Sequence, residues 1–201
     1  DSMKVLLRTD LFKQVEKSGV GRAIIHQKEA LKRNHVMYTT NPKDDYDIVH
    51  INTIFPQSYL AAKKAHRHGK KVVMHAHSTE EDFRNSFIGS NLMAPLFKKW
   101  ITTCYKAGDI ILTPTPYSKS LLEHYHINKP IIPISNGIEL DYFKKEENWK
   151  YEWREEFGFS PDDKVIISVG LYIERKGILD FVELAKQFPE YKFVWFGHTN
   201  L

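Results

Sequence analysis

The chain is poor in cysteine and has no long apolar run. Its 201 residues include one cysteine, Cys104, which rules out an internal disulfide and fits a reducing compartment. It sits in a helical pattern with neither the nearby histidine nor the glycine-rich approach of a nucleophile. No stretch reaches the roughly 20 apolar residues needed to cross a bilayer. The opening DSMKVLLRTD lacks the zones of a signal peptide, and Asp1 and Ser2 ahead of Met3 read as a cloning remnant. The formal charge of +4 is too small to argue for a nucleic-acid partner. The basic charge is uneven, however: residues 56–78 hold Lys63, Lys64, Arg67, Lys70 and Lys71 and no acid. A solvated helix face accounts for this cluster. So does attraction to an anionic membrane, at about 1 kcal/mol per Lys or Arg near the surface.

What the sequence does have is alternation. Short β-branched runs at 3–8, 35–40, 47–52, 72–76, 109–113 and 131–135 are separated by segments of helical period, the pattern of a parallel sheet covered on both faces. The fold class is therefore α/β: a Rossmann-like domain over 3–145, a charged and aromatic connection over 146–163, and a second Rossmann-like βαβ unit begun over 164–201. A lone βαβ unit leaves an edge and a helix face uncovered, so the second domain is expected to be incomplete.

Ligands of open α/β sheets bind beyond the carboxyl ends of the strands. The loops there are KSGVGRA, HAHSTEEDF, TPTPYS, SNGIE and GLYIERKG. Gly19 and Gly21 allow close backbone approach to an anion at a helix start, or serve only a tight turn. Arg175 and Lys176 stand before Gly177 at a helix start, which suits a diphosphate. His75 and His77 share strand parity and face one side, beside Glu80, Glu81 and Asp82. A zinc site built on His-x-His and Glu80 is weighed and set aside, and no metal is expected. The Asp45-Tyr46-Asp47 triplet precedes a strand, at the wrong end of the sheet for a ligand. His50, His66, His68, His124 and His126 are assigned to surface or packing roles.

NGIELDYF, TPTPYSKSLLEHY and SVGLYIERKGI together resemble segments of the retaining glycosyltransferases of family 4, which have two facing Rossmann-like domains, the GT-B architecture. The resemblance covers nearly the whole chain. It implies a UDP-hexose donor as substrate with no cofactor and gives Lys176 to the diphosphate; Arg175, Gly19 and Gly21, from the reading of the residues above, join it as expected donor-binding residues. The family's arginine after Val-Gly is Leu171 here, and its Glu-x7-Glu motif lies beyond this chain, so the piece alone is expected to be inactive. His77 takes the position of the family's histidine that donates a hydrogen bond to the transferring sugar, and His75, Glu80, Glu81 and Asp82 would shape the acceptor pocket.

KSGVGRAIIHQKEAL, DDYDIVHINT and HAHSTEEDFRNSF further resemble Gram-positive glycolipid synthases that extend diacylglycerol or its monohexosyl form, and the second acceptor is favoured. A lipid acceptor implies a cytoplasmic enzyme lying peripherally on the inner membrane face. Lys63, Lys64 and Arg67, with Lys98, Lys99 and Trp100 in SNLMAPLFKKWITTCYKAGD, are the expected contacts. Core packing of Leu96, Trp100 and Cys104 is the competing account. A polysaccharide acceptor, a nucleotide-sugar epimerase or phosphorylase, and a non-catalytic glycolipid-binding module are the other functions considered.

Overall fold

The computed structural model describes residues 2–10, 12–16, 18–144 and 146–199. Asp1, Lys17 of KSGVGRA, Lys145 at the expected domain end, and the terminal Leu201 lie outside the described residues.

The elements run β1 (Lys4–Leu7), α1 (Phe12–Val15), α2 (Gly19–Arg33), β2 (Met37–Thr39), β3 (Ile48–Ile51), α3 (Pro56–Arg67), β4 (Lys71–His75), α4 (Glu80–Phe83), α5 (Ser90–Lys106), β5 (Ile110–Thr113), α6 (Pro116–Glu123) and β6 (Ile131–Pro133). There follow α7 (Trp149–Glu156), β7 (Val165–Val169), a 3₁₀ turn (Glu174–Lys176), α8 (Ile178–Gln187) and β8 (Lys192–Phe196). The first six strands form one parallel sheet in the order β2-β1-β3-β4-β5-β6. Right-handed crossovers put α2, which steps outward from β1 to β2, on one face, and α3, α5 and α6, which step the other way, on the opposite face.

That second face carries the main core. Leu6, Val49, Ile51, Val72, Met74 and Ile111 from alternate strand positions pack with Ala62, Ala65, Ile101, Tyr105 and Leu122, as the period of two in a strand requires. Local chemistry fixes the ends. Pro56 and Pro116 open their helices at the position where a missing N–H costs nothing, and Thr115 and Ser118 form a capping box. At the sheet's amino-terminal edge the Asp47 carboxylate accepts from the Lys4 N–H at 2.8 Å, and Asp109 accepts from the Val72 N–H at 2.8 Å and meets His66 Nε2 at 2.9 Å. Asp45, the other member of the Asp-x-Asp triplet, pairs with Lys70. Gly108 ends α5 against the core: a Cβ there would lie 2.8 Å from Met74 Cγ.

Two expectations change. The polar stretch after β4 contains a helix, α4, too short for periodicity to reveal. Gly19 and Gly21 do not precede their helix but form its first turn, capped by the Ser18 hydroxyl, which accepts from the Gly21 N–H at 3.4 Å.

The chain packs as two units, 1–81 with 93–138, and 82–92 with 139–201. In the second, β7 and β8 pair in parallel and α8 crosses between them. Trp153 of α7 and Phe157, which caps it, pack on Phe196.

Candidate functional site

Strands β3 and β4 are neighbours in register, with His50 opposite Val73 and Ile51 opposite Met74. Because Val49 and Ile51 enter the main core, His50 and Asn52 must face the α2 side, and on β4 the same parity sends His75, and His77 just beyond the strand end, to that side. The result is a stack of three parallel imidazoles. The His50 and His75 centroids are 5.3 Å apart at an interplanar angle of 4°, and those of His75 and His77 are 4.2 Å apart at 7°. His75 and His77 overlap face to face, whereas His50 meets His75 edge to edge through Nε2 and Nδ1, 3.1 Å apart; among the described residues no cluster of three metal-ligating side chains is found.

An amide pair ties the stack together. Gln27 of α2 donates through Nε2 to Asn52 Oδ1 at 2.7 Å, and Asn52 Nδ2 donates to Gln27 Oε1 at 2.9 Å. Gln27 Nε2 lies 3.2 Å from His75 Nδ1, which also lies 3.1 Å from His50 Nε2. His77 Nε2 is 2.9 Å from Asn52 Oδ1. Burial pushes His50 down to about 3, helped by the neighbouring His75 and His77, pushes His75 down to about 4, and pushes His77 down to about 3, with His75 adding to the last. All three are neutral at pH 7. No carboxylate is hydrogen-bonded to any of them among the described residues, so the site holds no nucleophile-base-acid relay. It can orient and stabilise polar groups in a water-poor setting.

His50, assigned to surface or packing roles, packs half-buried inside this cluster. Gln27 and Asn52 were missed altogether. The available signal was the polar residue at every second position of two apolar strands, His50 and Asn52 in one, His75 and His77 in the other.

Glu80, Glu81 and Asp82 lie on α4 rather than in a loop. The Glu80 N–H donates to the Tyr125 hydroxyl at 2.8 Å, and that hydroxyl donates to Glu81 Oε2 at 2.7 Å. Burial holds the Tyr125 phenol above its usual range. Lys98 reaches Glu80 Oε2 at 3.5 Å and sits over the Tyr125 ring at 4.7 Å. The Glu80 and Glu81 carboxylates therefore anchor α4 to α5 and to Tyr125 just beyond α6. Behind the histidines, Tyr105 donates to the Ser78 carbonyl at 2.6 Å and accepts from its N–H at 3.3 Å. A second polar chain joins the loops after β1 and β3: Arg8 pairs with Asp10, and Ser58 donates to Asp10 and meets Thr53 Oγ1 at 2.6 Å.

The expected donor residues are divided between the units. Gly19 and Gly21 open α2 in the first, and a Cβ at Gly19 would meet nothing within 4 Å. Arg175 and Lys176 belong to the second, in the 3₁₀ turn that Gly177 closes at φ +81°. Arg175 donates through Nε to Ser86 Oγ at 3.2 Å and lies 3.7 Å from Asp82. Beside it is a cavity of about 360 Å³ lined by Asn85, Ser86, Phe87, Asn91, Ile173 and Glu174. Lys176 is exposed.

Trp100 is half-buried: its indole N–H donates to the Ile54 carbonyl at 2.8 Å and its ring packs against Tyr59 beside the main core, in line with the competing account. Cys104 is buried next to the same carbonyl, and burial pushes its thiol up to about 12. Leu96, expected in the core by the competing account, is 70% exposed, as are Met93 at 51% and Leu60 of α3 at 64%. Lys63, Lys64, Arg67 and Lys99 are exposed. No helix among the described residues is long and apolar enough to cross a membrane.

Comparison with known proteins bears on this arrangement. The chain is 43% identical over 199 residues to the processive diacylglycerol alpha-glucosyltransferase of Acholeplasma laidlawii, covering 98% of this chain and 59% of that protein. It is 24% identical over 216 residues to the alpha-galactosylglucosyldiacylglycerol synthase of Streptococcus pneumoniae, covering 96% of this chain and 54% of that one. The chain thus spans somewhat over half the length of these curated relatives. Two solved structures share the fold: HepE of Anabaena in complex with UDP, at TM-score 0.65 and 14% identity over 98% of this chain and 61% of that chain, and a glycosyltransferase from Rickettsia africae, at 0.52 and 17% over 98% and 69%. The model of Glycosyltransferase Family 4 matches residues 19–142, which is more than half of the chain and includes the whole histidine cluster, so the chain belongs to glycosyltransferase family 4.

Proposed function

We propose that the whole protein is a retaining glycosyltransferase that moves a hexose from a UDP-sugar to a membrane lipid, diacylglycerol or its monohexosyl product. The 43% identity over 98% of the chain with a processive diacylglycerol glucosyltransferase carries this reading. A processive enzyme uses its own product as the next acceptor, which accommodates both lipids. The reading calls for no resident cofactor, since the UDP-hexose is a substrate.

In this reading His77 touches the transferring sugar. Sugar transfer passes through a cationic ring and a departing diphosphate, and needs oriented neutral dipoles and excluded water more than a strong base. Three neutral imidazoles, His75 buried and His50 and His77 half-buried, supply such dipoles. Gly19 and Gly21 at the start of α2, with Arg175 and Lys176, would bind the donor. Lys176 bears the larger share of the diphosphate because Arg175 is engaged with Asp82 and Ser86 and Leu171 offers no cation. His75 and α4 act on the acceptor side as supports.

The lipid acceptor requires a peripheral position on an anionic cytoplasmic leaflet. Leu60 among Lys63, Lys64 and Arg67 on α3, and Met93 and Leu96 with Lys99 on α5, give the apolar-plus-basic surface for it. With Trp100 and Lys98 turned to other partners, these residues replace them as the expected contacts.

The deciding experiment gives the full-length protein UDP-glucose or UDP-galactose with diacylglycerol or glucosyl-diacylglycerol in anionic liposomes. A new glycolipid is expected. No lipid product with any pair, despite UDP binding, overturns the proposal. In the same liposomes, the Lys63→Glu, Lys64→Glu, Arg67→Glu triple variant should lose flotation.

A further inference from the structure

The histidine cluster admits two arrangements of its protons, and they differ in what His77 offers. The Gln27–Asn52 pair is symmetric. Turning both amides over together exchanges oxygen for nitrogen at each end and keeps two N–H···O bonds between them. The choice is decided at His75. When the Gln27 nitrogen faces it, His75 Nδ1 must be a lone pair, yet His50 Nε2 reaches the same atom at 3.1 Å. Either a second N–H competes for that lone pair or two lone pairs face each other. The His75 proton is then on Nε2, which is buried without a partner, and an orphaned buried N–H is the rarer defect.

With the amides turned over, these conflicts disappear. One His75 Nδ1–H is shared between the Gln27 oxygen and the His50 Nε2 lone pair, and the buried Nε2 is only an unused lone pair. The same turn brings the Asn52 amide nitrogen to His77 Nε2, 2.9 Å away, which then accepts. The single proton of neutral His77 is left on Nδ1. That nitrogen has no partner among the described residues and is not sealed in the interior.

We infer that Asn52, held by Gln27 and keyed by the His50–His75 contact, is a positioning residue that keeps His77 in its Nδ1–H form, so that the ring presents a hydrogen-bond donor to the bound sugar. The identity of the ligand rests on the proposed function; the position of the proton does not. The groups facing the ring nitrogens are Gln27, Asn52 and the other histidines, all neutral at pH 7, so the arrangement persists across the neutral range.

The test uses the full-length protein with ¹⁵N-labelled histidine, observed at about pH 8, where an ordinary imidazole is neutral. Two-bond ¹H–¹⁵N correlations distinguish the two neutral tautomers, and His77→Gln identifies the His77 signals by their loss. The expected result is Nδ1–H in the unaltered protein and Nε2–H in Asn52→Asp, whose carboxylate only accepts. In that variant kcat for transfer should fall about 100-fold, the scale for losing one oriented donor, with KM for the UDP-sugar little changed. Gln27→Leu, which frees the Asn52 amide to turn, should give a mixture of both tautomers and offers an independent route if Asn52→Asp does not fold. Nε2–H in the unaltered protein, or a single unchanged tautomer in the variants, overturns the inference. Absence of transfer by the unaltered protein counts against the proposed function alone, because the tautomers are read without turnover.

Discussion

Mild acid should destabilise the protein through its histidine stack. His50, His75 and His77 have ordinary values of 6.5 when unfolded, and burial holds them at about 3, about 4 and about 3 in the fold. Their stabilising contribution is complete above pH 6.5. As pH falls below that value, the unfolded chain takes up protons that the folded chain refuses, and stability declines until the folded values are reached. From about pH 7.5 to 5.5 each ring costs about 1.3 kcal/mol, so the stack costs about 4 kcal/mol, and about 6 kcal/mol by about pH 5. Domains are stable by roughly 5–15 kcal/mol, so this loss is a large share. The assay is the urea midpoint followed by far-UV ellipticity across that range, with His50→Gln as the internal control. The variant's slope against pH should be about a third shallower. A midpoint that stays flat between about pH 7.5 and 5.5 would refute the buried-neutral account of the cluster.

Tyr105→Phe removes both hydrogen bonds to the Ser78 backbone and should cost about 1–3 kcal/mol in chemical denaturation, because a buried carbonyl and amide lose their partner. Gly108→Ala places a Cβ 2.8 Å from Met74 Cγ and 3.0 Å from Ile111 Cδ1 and should cost about 1–3 kcal/mol; a Met74→Ala background should recover part of that loss. His77→Ala in the full-length protein should lower turnover by about 100-fold while UDP binding, measured calorimetrically, survives. Unchanged turnover would remove His77 from the site.

The sheet was legible because each strand is a β-branched or apolar run between breakers, and a parallel sheet buries such runs on both faces. The six runs named from the sequence match β1 to β6 to within two residues at either end. The helix α4 escaped because one turn shows no period, and the start of α2 was misplaced because glycines suggest a loop where Ser18 is already the cap. Trp100 stayed open between membrane contact and core packing because an amphipathic helix does not state which of its faces meets the sheet. The cluster was half legible. His75 and His77 stand out within one strand, but His50, Asn52 and Gln27 join them only once β3 is known to neighbour β4 and α2 to cover that face. Adjacency of distant segments is a property of topology, which no local pattern contains.

Strand order also governs how the protein is born. β3, β4, β5 and β6 join the sheet in the order in which they are translated, each against an edge already present. Only β2 docks on the opposite side of β1, and it too is made before β3. A nascent chain emerging at about 5–20 residues per second therefore has no strand of this sheet to wait for out of turn. The imidazole stack draws only on β3, β4 and His77 just beyond it, all translated before α5. The histidine cluster is thus complete in sequence about a hundred residues before Arg175 and Lys176 are made.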